Sequence, residues 1–84
     1  MASYLVEAYV PAMQAQDART AGRRARAAAR KLSRQGIHVR YVRTTLIPED
    51  ETCFHFFEAR SHNDVAEACR LAGLESPRIV PAVE

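Results

Sequence analysis

Residues 44–59, TTLIPEDETCFHFFEA, restrict the fold more than any other stretch of this chain. Two β-prone runs flank the turn-forming segment PEDE, and the second run carries all three phenylalanines together with Cys53 and His55. Threonine, isoleucine and phenylalanine on either side of a proline-containing acidic turn read as a β-hairpin. The rest of the chain must therefore build a sheet around that hairpin.

On the N-terminal side, residues 3–10 alternate, with Tyr4, Val6, Ala8 and Val10 on one face and Leu5, Glu7 and Tyr9 on the other. That is strand periodicity, and Pro11 is placed to end it. The period then changes. From about residue 14 to 35, Ala18, Ala21, Ala25, Ala28, Ala29 and Leu32 recur at three- and four-residue steps, which predicts a helix with a narrow apolar face. Arg19, Arg23, Arg26, Arg30 and Arg34 form a stripe roughly opposite, and Gly36 supplies the stop. Gly22 costs about 1 kcal/mol relative to alanine inside a helix, so its presence points to a close approach to the sheet.

Residues 37–47 read as a second strand and residues 52–59 as a third. Ser61, with Asp64 three residues on, is a helix-start signature. Val65, Ala68, Cys69 and Ala72 share the inner face of that second helix, and Gly73 closes it. Residues 78–83 make a short last strand, which Pro81 assigns to a sheet edge.

The order strand, helix, strand, strand, helix, strand predicts an α+β, ferredoxin-like βαββαβ domain spanning residues 1–84. Its four-stranded antiparallel sheet has both helices on one face, with the first and third strands as central neighbours. Phe54 and Phe56 are expected to face the helices. Cys53, His55 and Phe57 would then share the uncovered face with Leu5 and Tyr9. Such a face is too apolar to leave in water, so a face-to-face homodimer is expected. Its cleft would be lined by Glu7, Tyr9, Cys53 and His55, with Tyr41 and Arg43. The register across residues 48–51 has two solutions. A four-residue turn places Val42, Thr44 and Leu46 on the face of His55, whereas one extra residue or a bulge places Tyr41, Arg43 and Thr45 there. The second is preferred, since it keeps Arg43 out of the core.

Composition narrows the function classes. A chain of 84 residues, 48% hydrophobic and 26% charged, suits one globular domain. Much of the apolar share is alanine, so the core is small and association with a second copy would add burial. Two cysteines are too few for a stapled secreted scaffold. Residues 1–10 lack the features of a signal peptide, and no apolar run reaches membrane-spanning length; a soluble cytoplasmic protein is expected. Net charge is only +2, yet residues 17–35 hold seven basic residues and one acid. Nucleic-acid binding is disfavoured by the near-neutral total and by the lack of an RNA-binding aromatic motif; a solvated helix face is the simpler reading of that stripe.

Cys53 and His55 carry the sharpest chemistry. At i and i+2 on a strand they share a face, and thiolate with imidazole suits zinc, nickel or copper. Glu7 on the neighbouring strand would add an oxygen ligand. The plainer reading makes Cys53 a small buried residue and His55 a hydrogen-bonded polar one. An enzyme alternative uses the same cluster in the inter-sheet cavity of a dimeric α/β barrel, where a histidine with a glutamate and a tyrosine would shuttle a proton without a cofactor. No nucleophile motif or glycine-rich phosphate loop accompanies it.

The run RYVRTTLIPEDETCFHFFEA, the early LVEAYVPAM and the late AEACRLAGLESPRIVPAVE together resemble the small bacterial nickel-binding, nickel-responsive proteins. The likeness runs nearly end to end, and PEDETCF followed by FEA is its most specific part. It implies a ferredoxin-like dimer that binds nickel and has no established catalytic activity.

Overall fold

The computed structural model of the chain describes residues 1–9, 15–74 and 77–83. The predicted order holds: β1 (Ala2–Tyr9), α1 (Ala15–Arg34), β2 (Val39–Ile47), β3 (Thr52–Ala59), α2 (His62–Ala72) and β4 (Arg78–Ala82). The expectations for Val10 and Pro11 lie outside the described residues. The strands form one antiparallel sheet in the order β2-β3-β1-β4, so β1 and β3 are the central pair and β4 lies at an edge. This is the ferredoxin-like arrangement.

Local chemistry explains the boundaries. Both helices end in the same glycine-dependent motif. Gly36 and Gly73 adopt φ of 85° and 76°, the left-handed region that glycine enters without a Cβ clash. The amide of Ile37 bonds the Leu32 carbonyl at 2.9 Å, and that of Leu74 bonds the Cys69 carbonyl at 3.0 Å. Helix α2 starts where Ser61 accepts the Asp64 amide at 3.2 Å, as its spacing predicted. A single 3-10 turn, Pro48–Asp50, joins β2 to β3, and Glu51 takes φ of 50° to redirect the chain.

One cluster makes the core. Val6, Val39, Phe57 and Ala59 of the sheet meet Ala25, Ala29 and Leu32 of α1 and Val65, Ala68 and Cys69 of α2. Cys69 is buried, and desolvation pushes its thiol up to about 11, so it behaves as a small apolar residue and is inert at neutral pH.

The facing of β3 is the reverse of the expectation. Cys53, His55 and Phe57 point towards the helices and are fully buried, while Phe54 and Phe56 lie half-buried on the open face. The cause is parity along the strand. Glu58 shares a face with Phe54 and Phe56, and Ala59 shares one with His55 and Phe57. Turning the two phenylalanines inward would bury a carboxylate and expose the chain of residues that fits beneath an alanine-lined helix. A carboxylate is far costlier to bury than a hydrogen-bonded imidazole.

The preferred register holds for Tyr41, which a bulge does bring to the face of His55, and is corrected for Arg43 and Thr45, which pair with Phe56 and Phe54 on the other face. Ile47 pairs with Thr52, Leu46 with Cys53 and Thr44 with His55, which is the four-residue-turn solution. The alignment then shifts between Tyr41 and Arg43, so that Arg43 pairs with Phe56 and Tyr41 with Phe57. Val42 is the extra residue of a β-bulge. Tyr41 and Thr44, three apart, would face opposite ways on a regular strand. The bulge puts them on the same side.

Candidate functional site

That bulge assembles a polar chain on the inner face of the sheet, half-buried at Tyr41 and Thr44 and fully buried at His55. The hydroxyl of Tyr41 lies 2.6 Å from Thr44 Oγ1, which lies 2.7 Å from His55 Nδ1. The other ring nitrogen, Nε2, faces Cys53 Sγ at 3.8 Å. No buried side-chain polar atom among the described residues lacks a partner, which is why a histidine with no exposed surface is tolerated in so small a core.

Gly22 roofs this chain, as its place in α1 foretold. A Cβ built there would stand 2.9 Å from the Tyr41 hydroxyl and 3.0 Å from Thr44 Oγ1. Glycine thus lets the helix lie directly on the two hydroxyls. Arg26 on the next turn places its guanidinium 5.3 Å from the centre of the Tyr41 ring, a cation–π distance.

Burial sets the protonation states. Desolvation pushes the Cys53 thiol above its ordinary value and holds the His55 imidazole below its own. At neutral pH the pair is therefore a thiol and a neutral imidazole, the ring form that ligates metals.

Of the proposed ligands, the structure brings Cys53 and His55 together and leaves Glu7 apart. Glu7 pairs in register with Phe54 on the open face, where its carboxylate accepts from Arg78 Nη1 at 3.0 Å. The physical reason is the reversed facing of β3, which moved both other donors to the helix side. Among the described residues no group of three His, Cys, Asp or Glu converges on one point. The expected cleft divides in the same way. Glu7, Tyr9 and Arg43 remain on the open face, whereas Cys53, His55 and Tyr41 lie beneath α1. The cofactor-free enzyme alternative thereby loses its histidine. The hydroxyl relay was missed because Thr44 and Tyr41 were placed beside His55 only in alternative registers, whereas the four-residue turn and a bulge at Val42 occur together. The parity of Glu58 was the available signal for the facing of β3.

The open face carries Leu5, Phe54, Phe56 and Val80 across the sheet, with the Arg43 guanidinium 4.1 Å from the Phe56 ring centre. No helix among the described residues is long and apolar enough to cross a membrane. No protein-family model matches the chain, and no curated protein or solved structure matches it. The fold and site define a ferredoxin-like domain with a hydrogen-bonded histidine–cysteine pair in its core.

A pH prediction follows from His55. Its folded pKa lies below the ordinary 6.5, so the unfolded chain takes up the proton more readily. The stabilisation is complete above about pH 6.5 and is lost as pH falls through that value, at up to about 1.4 kcal/mol per pH unit for one proton. Urea unfolding at pH 7 and pH 5.5 should show this decline in the wild type and a flatter profile in His55→Gln. Identical profiles would place the titrating group elsewhere.

Proposed function

We propose that this protein binds a divalent transition metal, nickel foremost, through Cys53 and His55, and that it acts as a homodimer paired across its open sheet face. The orientation of His55 carries the metal reading. Its Nδ1 is engaged by Thr44, the outer contact that orients metal-binding histidines, and its Nε2 is turned onto Cys53 Sγ at 3.8 Å. An ion about 2.3 Å from sulfur and about 2.0 Å from nitrogen in a tetrahedral arrangement sets those atoms roughly 3.5 Å apart. The donor pair therefore fits with a small adjustment. The choice of nickel among such metals rests on the resemblance read in the sequence of residues 40–59.

Two donors make an exchangeable site and not a closed structural one. Because the pair is buried, loading requires α1 to lift locally from the sheet. The apolar row Leu5, Phe54, Phe56 and Val80 supports the dimer, since pairing would remove it from water. This supports sequestration or response to the metal, in a cytoplasmic setting where thiols stay reduced.

The test is a nickel titration followed by thermal unfolding. A ligand at a hundred times its Kd adds about 2.7 kcal/mol of stability, so the wild type and Glu7→Gln should melt higher with nickel while His55→Gln should not. An equal rise in all three would overturn the site. The rise should also grow with pH, because the thiol proton must leave as the metal arrives, and affinity should gain about tenfold per pH unit while the thiol remains protonated.

A further inference from the structure

The groove between the N-terminal half of α1 and strand β2 is distinct in chemistry from the buried pair behind it. It is an open groove of about 400 Å³, bordered by Arg19, Arg23 and Arg26, floored by Tyr41 and Thr44, and completed by apolar atoms of Ala18 and Leu46. We propose that it binds a small organic anion, a carboxylate or phosphate ester on an apolar body.

Three observations converge on that class. The arginines recur at steps of four and three, which sets them on one side of α1, and among the described residues no acid lines the groove. Among the described residues none of the three is in an ion pair, although acids hold Arg40, Arg70 and Arg78 elsewhere. Arg23 spends one donor on Thr20 at 3.1 Å, leaving others of its five for an anion. The second observation is the glycine. With no side chain at position 22, Gly22, Tyr41 and Thr44 line the groove together, and a Cβ there would crowd the two hydroxyls. The third is the relay. When Nδ1 of His55 carries the ring proton, it donates to Thr44, Thr44 donates to Tyr41, and the Tyr41 proton is left to point into the groove. The volume lies within the range of small-ligand sites. A nucleic-acid strand fits less well, because the stacking candidates Phe54 and Phe56 lie on the opposite face of the sheet from the arginines.

Phenyl phosphate, with phenol as its neutral counterpart, is the probe, titrated into 15N-labelled full-length protein in the presence of a chelator. Metal plays no part under these conditions, so the result is independent of the nickel reading. Phenyl phosphate should shift the amides of residues 19–26 and 41–46, and phenol should not. Arg19→Gln with Arg23→Gln should weaken binding roughly tenfold or more, as loss of two charge-assisted donors implies. Tyr41→Phe should weaken it by a smaller factor. Arg30→Gln with Arg34→Gln, the same charge change further along α1, should alter it by less than about twofold in about 100 mM salt. Equal loss from the two arginine pairs would reduce the effect to a diffuse field and overturn the proposal. Shifts confined to the open face, equal response to phenol, or tighter binding of a single-stranded oligonucleotide shared along the whole arginine stripe would overturn it too.

Discussion

Phe57→Ala should destabilise the protein by about 3–5 kcal/mol, the usual cost of removing a buried phenylalanine. Phe57 is 1% exposed, packs edge-on to Tyr41 with ring centres 5.8 Å apart, and belongs to the core cluster. In a domain of this size each kcal/mol corresponds to roughly 4–8 °C of melting temperature, so the variant should melt far below the wild type. Its neighbour supplies the control. Phe56→Ala removes the same atoms from the open face, where Arg43 covers the ring. It should leave the fold intact and weaken association between copies. Urea unfolding with analytical ultracentrifugation separates the two effects. A larger stability loss for Phe56→Ala, with association unchanged, would contradict both the facing of β3 and the proposed dimer.

Gly22→Ala should destabilise the fold by about 1–3 kcal/mol, although alanine is the better helix former by about 1 kcal/mol. The added methyl would meet the Tyr41 hydroxyl at 2.9 Å and Thr44 Oγ1 at 3.0 Å. Both atoms are hydrogen-bonded in the chain to His55, so moving aside would stretch or break those bonds. The two terms can be separated by background. In Tyr41→Phe with Thr44→Ala the obstructing hydroxyls are gone, and the same glycine replacement should become neutral or stabilising. Thermal unfolding of the four proteins measures the coupling. A constant effect in both backgrounds would mean that the polar chain does not set the helix–sheet distance.

These two variants also mark how far the sequence could be read. The element order, the helix ends at Gly36 and Gly73, the Ser61 cap and the close approach at Gly22 were legible because each depends on a few adjacent residues. The facing of β3 was harder, because both its faces are apolar. Phenylalanine content argued for one face, and only the parity of Glu58 and Ala59 argued correctly for the other. The site was legible in part. The spacing of Cys53 and His55 put them on one face of β3, and they do share it. Joining Glu7 to them required a facing that would have buried the Glu58 carboxylate. The hydroxyl relay was not legible, because it needs the four-residue turn and the bulge at Val42 together, and in the sequence the two stood as alternatives.

The metal reading rests on sulfur and imidazole binding one ion, and X-ray absorption at the nickel edge tests this most directly. Nickel-loaded wild-type protein should show a sulfur scatterer at about 2.2–2.3 Å together with imidazole nitrogen, the distances expected for thiolate and histidine ligands of a first-row ion. The sulfur shell should vanish in Cys53→Ser and the imidazole signal in His55→Gln. A shell of oxygen and nitrogen alone, or a spectrum unchanged in both variants, would contradict the assignment of nickel to the buried pair.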